Sequence, residues 1–169
     1  CLLSLSRLQD KTVITVEGLS EREKEVYAWA FAEAGAVQCG FCTPGMVISA
    51  KGLLDRDPDP SAARIKEALR GNICRCTGYV KIEQAIMMAA QALREGLPAP
   101  TEAAAGVGAR VARLDAAAKT LGTGEYVDDL KVPGMLYAAV LRTPVPRARI
   151  LSIDTSVAAE LAGVAAVLT

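Results

Sequence analysis

The sequence predicts an α+β chain: a four-helix bundle closed by a four-thiolate metal site, then a linker, then a small partial α/β region. Three observations lead there. Four of the five cysteines fall in two short turns, a C-x2-C at Cys39 and Cys42 and a C-x-C at Cys74 and Cys76. Four segments around those turns carry apolar residues at three- and four-residue spacing, the period of a helix with one buried face. Past Gly96 the composition shifts to Gly, Pro and Ala, and then to short β-branched runs.

The elements follow in chain order. Lys11 to Glu17 is rich in β-branched residues and is expected to form a short strand ending at Gly18. Ser20-Glu21-Arg22-Glu23 is a capping box, so a helix starts there, with Val26, Tyr27, Trp29, Ala30, Phe31 and Ala34 surrounding its second half. Trp29 and Phe31 are read as core rather than as an electron path. Thr43 is expected as the N-cap and Pro44 as the first residue of a second helix to Asp55, with Met46, Val47, Ala50, Leu53 and Leu54 inward. Asp57-Pro58-Asp59-Pro60 stops it, and Asp59 or Ser61 caps a third helix that packs through Ala62, Ile65, Ala68 and Leu69. A fourth runs from Tyr79 to Arg94 with Ile82, Ile86, Ala89 and Leu93 on one face, Met87 and Met88 filling gaps. Antiparallel neighbours with short connections bring both cysteine turns to the same end. After the linker, Met135 to Arg142, Arg149 to Asp154 and Val164 to Leu168 read as strands, and Ser156 to Leu161 as a short helix. Gly122-Thr123-Gly124 lacks the lysine and glycine spacing of a phosphate loop and reads as a turn.

Two pairs of thiols, each beside a helix start, point to one metal site, because thiolate is a soft ligand that apolar chain does not bury unpaired. The two cysteines of a C-x-C cannot bridge one another without strain, which disfavours a disulfide framework. Zinc and iron-sulfur both accept four thiolates, and the spacing leaves the two open. The surroundings favour iron-sulfur: Gly40, Gly45, Gly71, Asn72, Thr77 and Gly78 let backbone N–H groups approach a bulky, anionic group, and two helix N-termini stabilise its charge. A zinc-stapled structural or interaction module is the alternative.

The two turns in full, Gln38-Cys39-Gly40-Phe41-Cys42-Thr43-Pro44-Gly45 and Gly71-Asn72-Ile73-Cys74-Arg75-Cys76-Thr77-Gly78-Tyr79, closely resemble the paired signature of the second 2Fe-2S domain of the molybdenum hydroxylases, the xanthine dehydrogenase and aldehyde oxidoreductase family. The resemblance implies that Cys39, Cys42, Cys74 and Cys76 ligate a 2Fe-2S cluster. It also implies that the pterin of the molybdenum cofactor, molybdopterin, lies against that cluster near Gln38 and Cys76 in the intact enzyme. Thr15-Val16-Glu17-Gly18-Leu19 resembles the turn that follows a plant-type 2Fe-2S domain in the family, which makes Cys1 the expected last ligand of a second cluster. Gly122-Thr123-Gly124-Glu125-Tyr126, Asp129, Pro133 to Tyr137 and Ile150 to Asp154 resemble the opening of the large molybdenum-binding part. The stretch Thr143 to Arg149 departs from it, having none of the family's usual histidines.

The expected layout is therefore 1–19 as the tail of a ferredoxin-like domain, 20–95 as the helical cluster domain, 96–118 as linker and 119–169 as the start of the molybdenum-binding domain. The short span between the last two implies a flavin-less aldehyde oxidoreductase type. Its function would be electron transfer within an enzyme that oxidises an aldehyde or heterocycle, passing electrons to an external acceptor. The chain is expected to be a piece of a longer polypeptide, inactive without the molybdenum active site, with the remainder of that enzyme as its partner.

Composition sets the outer bounds. The 169 residues carry 19 Lys+Arg against 19 Asp+Glu and no histidine. Zero net charge without a basic block gives no reason to expect nucleic acid, and no apolar run reaches the roughly 20 residues that span a bilayer. The absence of histidine removes the usual general base and the Ser-His and Cys-His nucleophile systems, none of which electron transfer needs. A cytoplasmic location is expected.

Overall fold

Ser20 opens the first helix through a reciprocal cap: its hydroxyl accepts from the Glu23 amide at 3.3 Å, and the Glu23 carboxylate accepts from the Ser20 amide at 2.8 Å. This is helix α1 (Glu21–Glu33) of a computed structural model that describes residues 4–98, 106–109 and 111–169. Helix α2 (Thr43–Leu54) follows, then α3 (Ala62–Leu69), which Ser61 rather than Asp59 caps, its hydroxyl accepting from the Arg64 amide. Asp59 instead pairs with Arg94 at 3.1 Å, near the end of helix α4 (Val80–Glu95). Cys1 lies outside the described residues, and so does the ligand role expected of it.

Packing follows the apolar faces. Helix α1 lies mainly on α4, and α2 on α3. Tyr27, Phe31, Met46, Ile65, Ile82 and Ile86 are the largest fully buried side chains of the core they share. Trp29 and Met88 pack against it from partly buried positions, whereas Met87, expected as a filler, is largely exposed. Lys51 ties α1 to α2, its ammonium 2.7 Å from Glu23 and 3.0 Å from Asp55.

Within residues 4–125, two expected segments differ from the structure. The linker assigned to 96–118 ends in a helix: α5 (Ala116–Thr120) packs on α1 and α2, with Ala116 and Thr120 fully buried. Its run of small residues gave no amphipathic signal, yet small side chains are what allow a helix to sit this close to two others. The strand expected over residues 11–17 is absent: residues 11–15 run without a ladder and Val16–Gly18 forms a 3-10 turn. A strand exists only with a hydrogen-bonded neighbour, and among the described residues this segment has none.

The chain divides into two units, Cys1–Glu125 and Tyr126–Thr169. The second contains a 3-10 turn at Val127–Asp129 and a short helix α6 (Ser156–Glu160), close to the expected helix. The three strands expected at 135–142, 149–154 and 164–168 are not formed, and no residue of this unit is buried. Their β-branched composition is present, but without ladders between them it yields only extended chain. Among the described residues no helix is long and apolar enough to cross a membrane.

Truncating Phe31, fully buried, to Ala should destabilise the first unit by about 3–5 kcal/mol in chemical denaturation. The same change at Phe41, 84 % exposed, should stay within about 0.5 kcal/mol. A second expectation concerns acid. Partial burial by itself would raise the Glu23 carboxyl, but hydrogen bonds from Lys51 and Ser20 outweigh it and hold the group below the ordinary range. A carboxyl depressed in the folded state stabilises above its unfolded pKa of about 4.3 and loses that contribution as pH falls through the lowered folded value. Thermal stability should therefore drop on acidification below about pH 4.3, and Glu23→Gln should lose less of it across that window than the parent chain.

Candidate metal centre

The first cysteine turn hangs between α1 and α2. Buried Ala36 and Val37 anchor the chain leaving α1, and Gln38 and Cys39 then emerge to the surface. Gly40 takes φ +84°, a conformation that L side chains rarely adopt, and the Thr43 amide closes the turn on its carbonyl at 3.0 Å. The cap of α2 is Cys42 itself, one residue earlier than the expected Thr43; Thr43 is the first helical residue and is buried. The Cys42 carbonyl receives the Met46 amide at 3.1 Å, so this cysteine stands at the positive end of α2.

The second turn hangs between α3 and α4 and is held by side chains. Asn72 donates to the Ser49 hydroxyl of α2 at 2.5 Å. The Tyr79 hydroxyl accepts from the Cys74 amide at 2.9 Å and donates to the Asn72 carbonyl at 3.0 Å, spanning the loop from within. Tyr79 caps α4 at φ +70° directly after Gly78 at φ +69°. A left-handed aromatic residue costs on the order of 1–3 kcal/mol, which the two hydroxyl bonds and ring packing on the core offset. Thr77 completes the turn, its amide donating to the Cys74 sulfur at 3.4 Å with its hydroxyl 3.1 Å from the same atom.

The four sulfurs converge as two pairs. The Cys76 thiol donates to the Cys39 sulfur at 3.6 Å, and the Cys42 and Cys74 thiols are hydrogen-bonded to one another. The pairs also sense one another electrostatically, Cys39 acting on Cys42 and Cys74 on Cys76. Burial, then contact with Cys74, pushes the Cys42 thiol up to about 11. Burial acts the same way on Cys74, but the Thr77 hydroxyl and amide overcome it and lower that thiol. Cys76 is raised chiefly by its hydrogen bond to Cys39. Cys39 and Cys76 are exposed, Cys42 and Cys74 half-buried.

This donor set fits a binuclear group. Two facing thiol pairs, each beside backbone or hydroxyl donors, could give each of two metals two thiolates.

Two residues at the site were not among those expected from the sequence. Arg113 donates to the carbonyls of Gln38 at 2.7 Å and Val37 at 3.2 Å, and Lys119 of α5 donates to the carbonyl of Cys39 at 3.1 Å. Both reach backbone atoms, and a carbonyl partner leaves no signature in residue type. Of the two positions expected to meet a pterin, Gln38 adjoins Cys39 and is exposed, and Cys76 faces solvent with it.

The comparisons with known proteins agree with this geometry. Residues 15–87 match the 2Fe-2S binding domain family, and residues 121–169 match the aldehyde oxidase and xanthine dehydrogenase a/b hammerhead domain. The chain is 48 % identical over 92 residues to the nicotinate dehydrogenase small FeS subunit of Eubacterium barkeri, covering 54 % of this chain and 59 % of that one. It is 37 % identical over 183 aligned positions to the aldehyde oxidoreductase of Megalodesulfovibrio gigas, covering 100 % of this chain and 20 % of that one. It therefore spans a little over half of the first relative and a fifth of the second. The solved aldehyde oxidoreductase from Desulfovibrio gigas superposes with a TM-score of 0.66 at 34 % identity, over 76 % of this chain and 15 % of that one. Matched in both of its parts, the chain carries a 2Fe-2S binding domain followed by an aldehyde oxidase and xanthine dehydrogenase a/b hammerhead domain, and its homologues include an aldehyde oxidoreductase and a nicotinate dehydrogenase small FeS subunit.

Proposed function

We propose that this chain is the electron-transfer segment of a molybdenum-dependent enzyme that hydroxylates an aldehyde or heterocycle, with Cys39, Cys42, Cys74 and Cys76 holding the 2Fe-2S cluster. The observation that carries the reading is the convergence of four thiols from two distant turns into two close pairs. Cys39 with Cys76, and Cys42 with Cys74, would give each iron two thiolates. The cluster supplies a one-electron couple in which no bond is made or broken, and the chain supplies the surroundings that make the reduced form tolerable. The α2 terminus faces Cys42, and the Thr77 donors face Cys74. Each places positive charge density where the added electron raises the negative charge.

Position supports the role. The exposed Cys39 and Cys76 let the cluster edge approach a second centre, while the half-buried pair fixes it to the helices. Gln38 and Cys76 form the face for the pterin of the molybdenum cofactor. Electrons would enter there and leave toward an external acceptor. The end-to-end alignment of this whole chain with an aldehyde oxidoreductase over 183 positions leaves no room for an inserted domain on the order of 100 residues, which supports a flavin-less arrangement. On this reading residues 20–95 form the cluster domain and 119–169 the start of the molybdenum-binding part.

The intact protein should be reddish-brown, contain iron and acid-labile sulfide in equal amounts, and give a paramagnetic signal on one-electron reduction. Colourless protein with one zinc per chain would instead establish the structural module. In Cys74→Ser the iron of this one cluster should be lost and the thermal transition should move down with it, because metal binding and folding are coupled. Iron content equal to that of the parent would remove Cys74 from the ligand set.

A further inference from the structure

Residues 88–120 belong to neither matched region, yet this segment returns to the cysteine turn. Two of its cations, Arg113 and Lys119, grip the two peptide groups that flank Cys39. Arg113, braced by a salt bridge to Asp115, holds the Gln38 carbonyl at 2.7 Å. Lys119, only 11 % exposed, holds the Cys39 carbonyl at 3.1 Å. A trans peptide is planar, with its N–H opposed to its C=O. Fixing the Gln38 carbonyl on Arg113 therefore fixes the Cys39 amide on the other side, where it faces the Cys76 sulfur. The Lys119 stem is built into the same turn. A Cβ on Gly40 would stand 2.6 Å from the Lys119 Cβ and 2.9 Å from its Cγ and Cδ, so the Lys119 stem passes where only glycine leaves room at position 40.

We propose that Arg113 and Lys119 are positioning residues that raise the reduction potential of the cluster by pinning and polarising the peptides on either side of Cys39. The inference rests on the cluster assignment made above. Each cation draws electron density toward the carbonyl it binds and strengthens the N–H dipole at the opposite end of that peptide. Hydrogen bonds to cluster sulfur and nearby charge are among the factors that set such potentials. Lys119 sits in a largely water-excluded position, where its charge is screened less than at the surface.

The test is a redox titration of the intact iron-loaded protein, followed by its paramagnetic signal, for the parent, Lys119→Met, Lys119→Arg and Arg113→Gln. Lys119→Met keeps an apolar stem and removes the charge, and Arg113→Gln removes the charge at a more exposed position. Each should shift the reduction equilibrium about tenfold toward the oxidised form, ~59 mV for a one-electron couple, at unchanged iron content. Lys119→Arg should stay near the parent potential. Should Lys119→Met fail to load iron, Arg113→Gln decides alone. Parent-like potentials in the loaded charge-removing variants would overturn the proposal and leave the cluster reading intact. A parent protein without iron and sulfide would overturn the cluster reading first, and this one with it.

Discussion

Four sulfurs brought within reach of one another would repel as thiolates, and no apolar core can hold them charged and unpaired. The rest of the first unit answers that constraint. Helices α1 to α4 place both turns at one end, and the turns surround the sulfurs with positive charge density: the start of α2, the Thr77 donors, and the Cys39 amide, whose peptide carbonyl Arg113 holds. Where the chain must leave ordinary geometry to do this, at Gly40 and at Gly78-Tyr79, the departures lie beside the cysteines and nowhere in the helix interiors.

Stability and site are joined through a few side chains. Tyr79 serves both, its ring against the core and its hydroxyl across the Asn72–Cys74 loop. Asn72 links that loop to α2 through Ser49, so the second turn is held from the helix that starts at the first. A displacement of one turn is thereby transmitted to the other, and the thiol pairs keep their spacing only while α2, α3 and α4 keep theirs.

The sequence made legible whatever is written locally. The cysteine spacing, the Ser20 and Ser61 caps and the apolar periods of α1 to α4 each depend on residues a few positions apart, and the structure places helices at those segments. The α2 cap fell one residue from its expected place because Pro44 is accommodated at the second helical position as well as the first. Features that depend on distant partners were not legible. Arg113 and Lys119 act across 75 and 80 residues on carbonyls that every residue possesses. Helix α5 owes its place to small side chains fitting a groove, which no periodicity announces. The expected strands at 11–17, 135–142, 149–154 and 164–168 had the right composition, but a ladder is a property of two segments and composition describes one.

The unequal exposure of the two thiol pairs has an electronic consequence. Water solvates Cys39 and Cys76, while protein surrounds much of Cys42 and Cys74. A surplus negative charge is better tolerated where the dielectric is high, so the two thiol pairs are inequivalent before any neighbouring group approaches. A group held by all four sulfurs would therefore meet a wet side at Cys39 and Cys76, better able to bear added charge, and a drier side at Cys42 and Cys74.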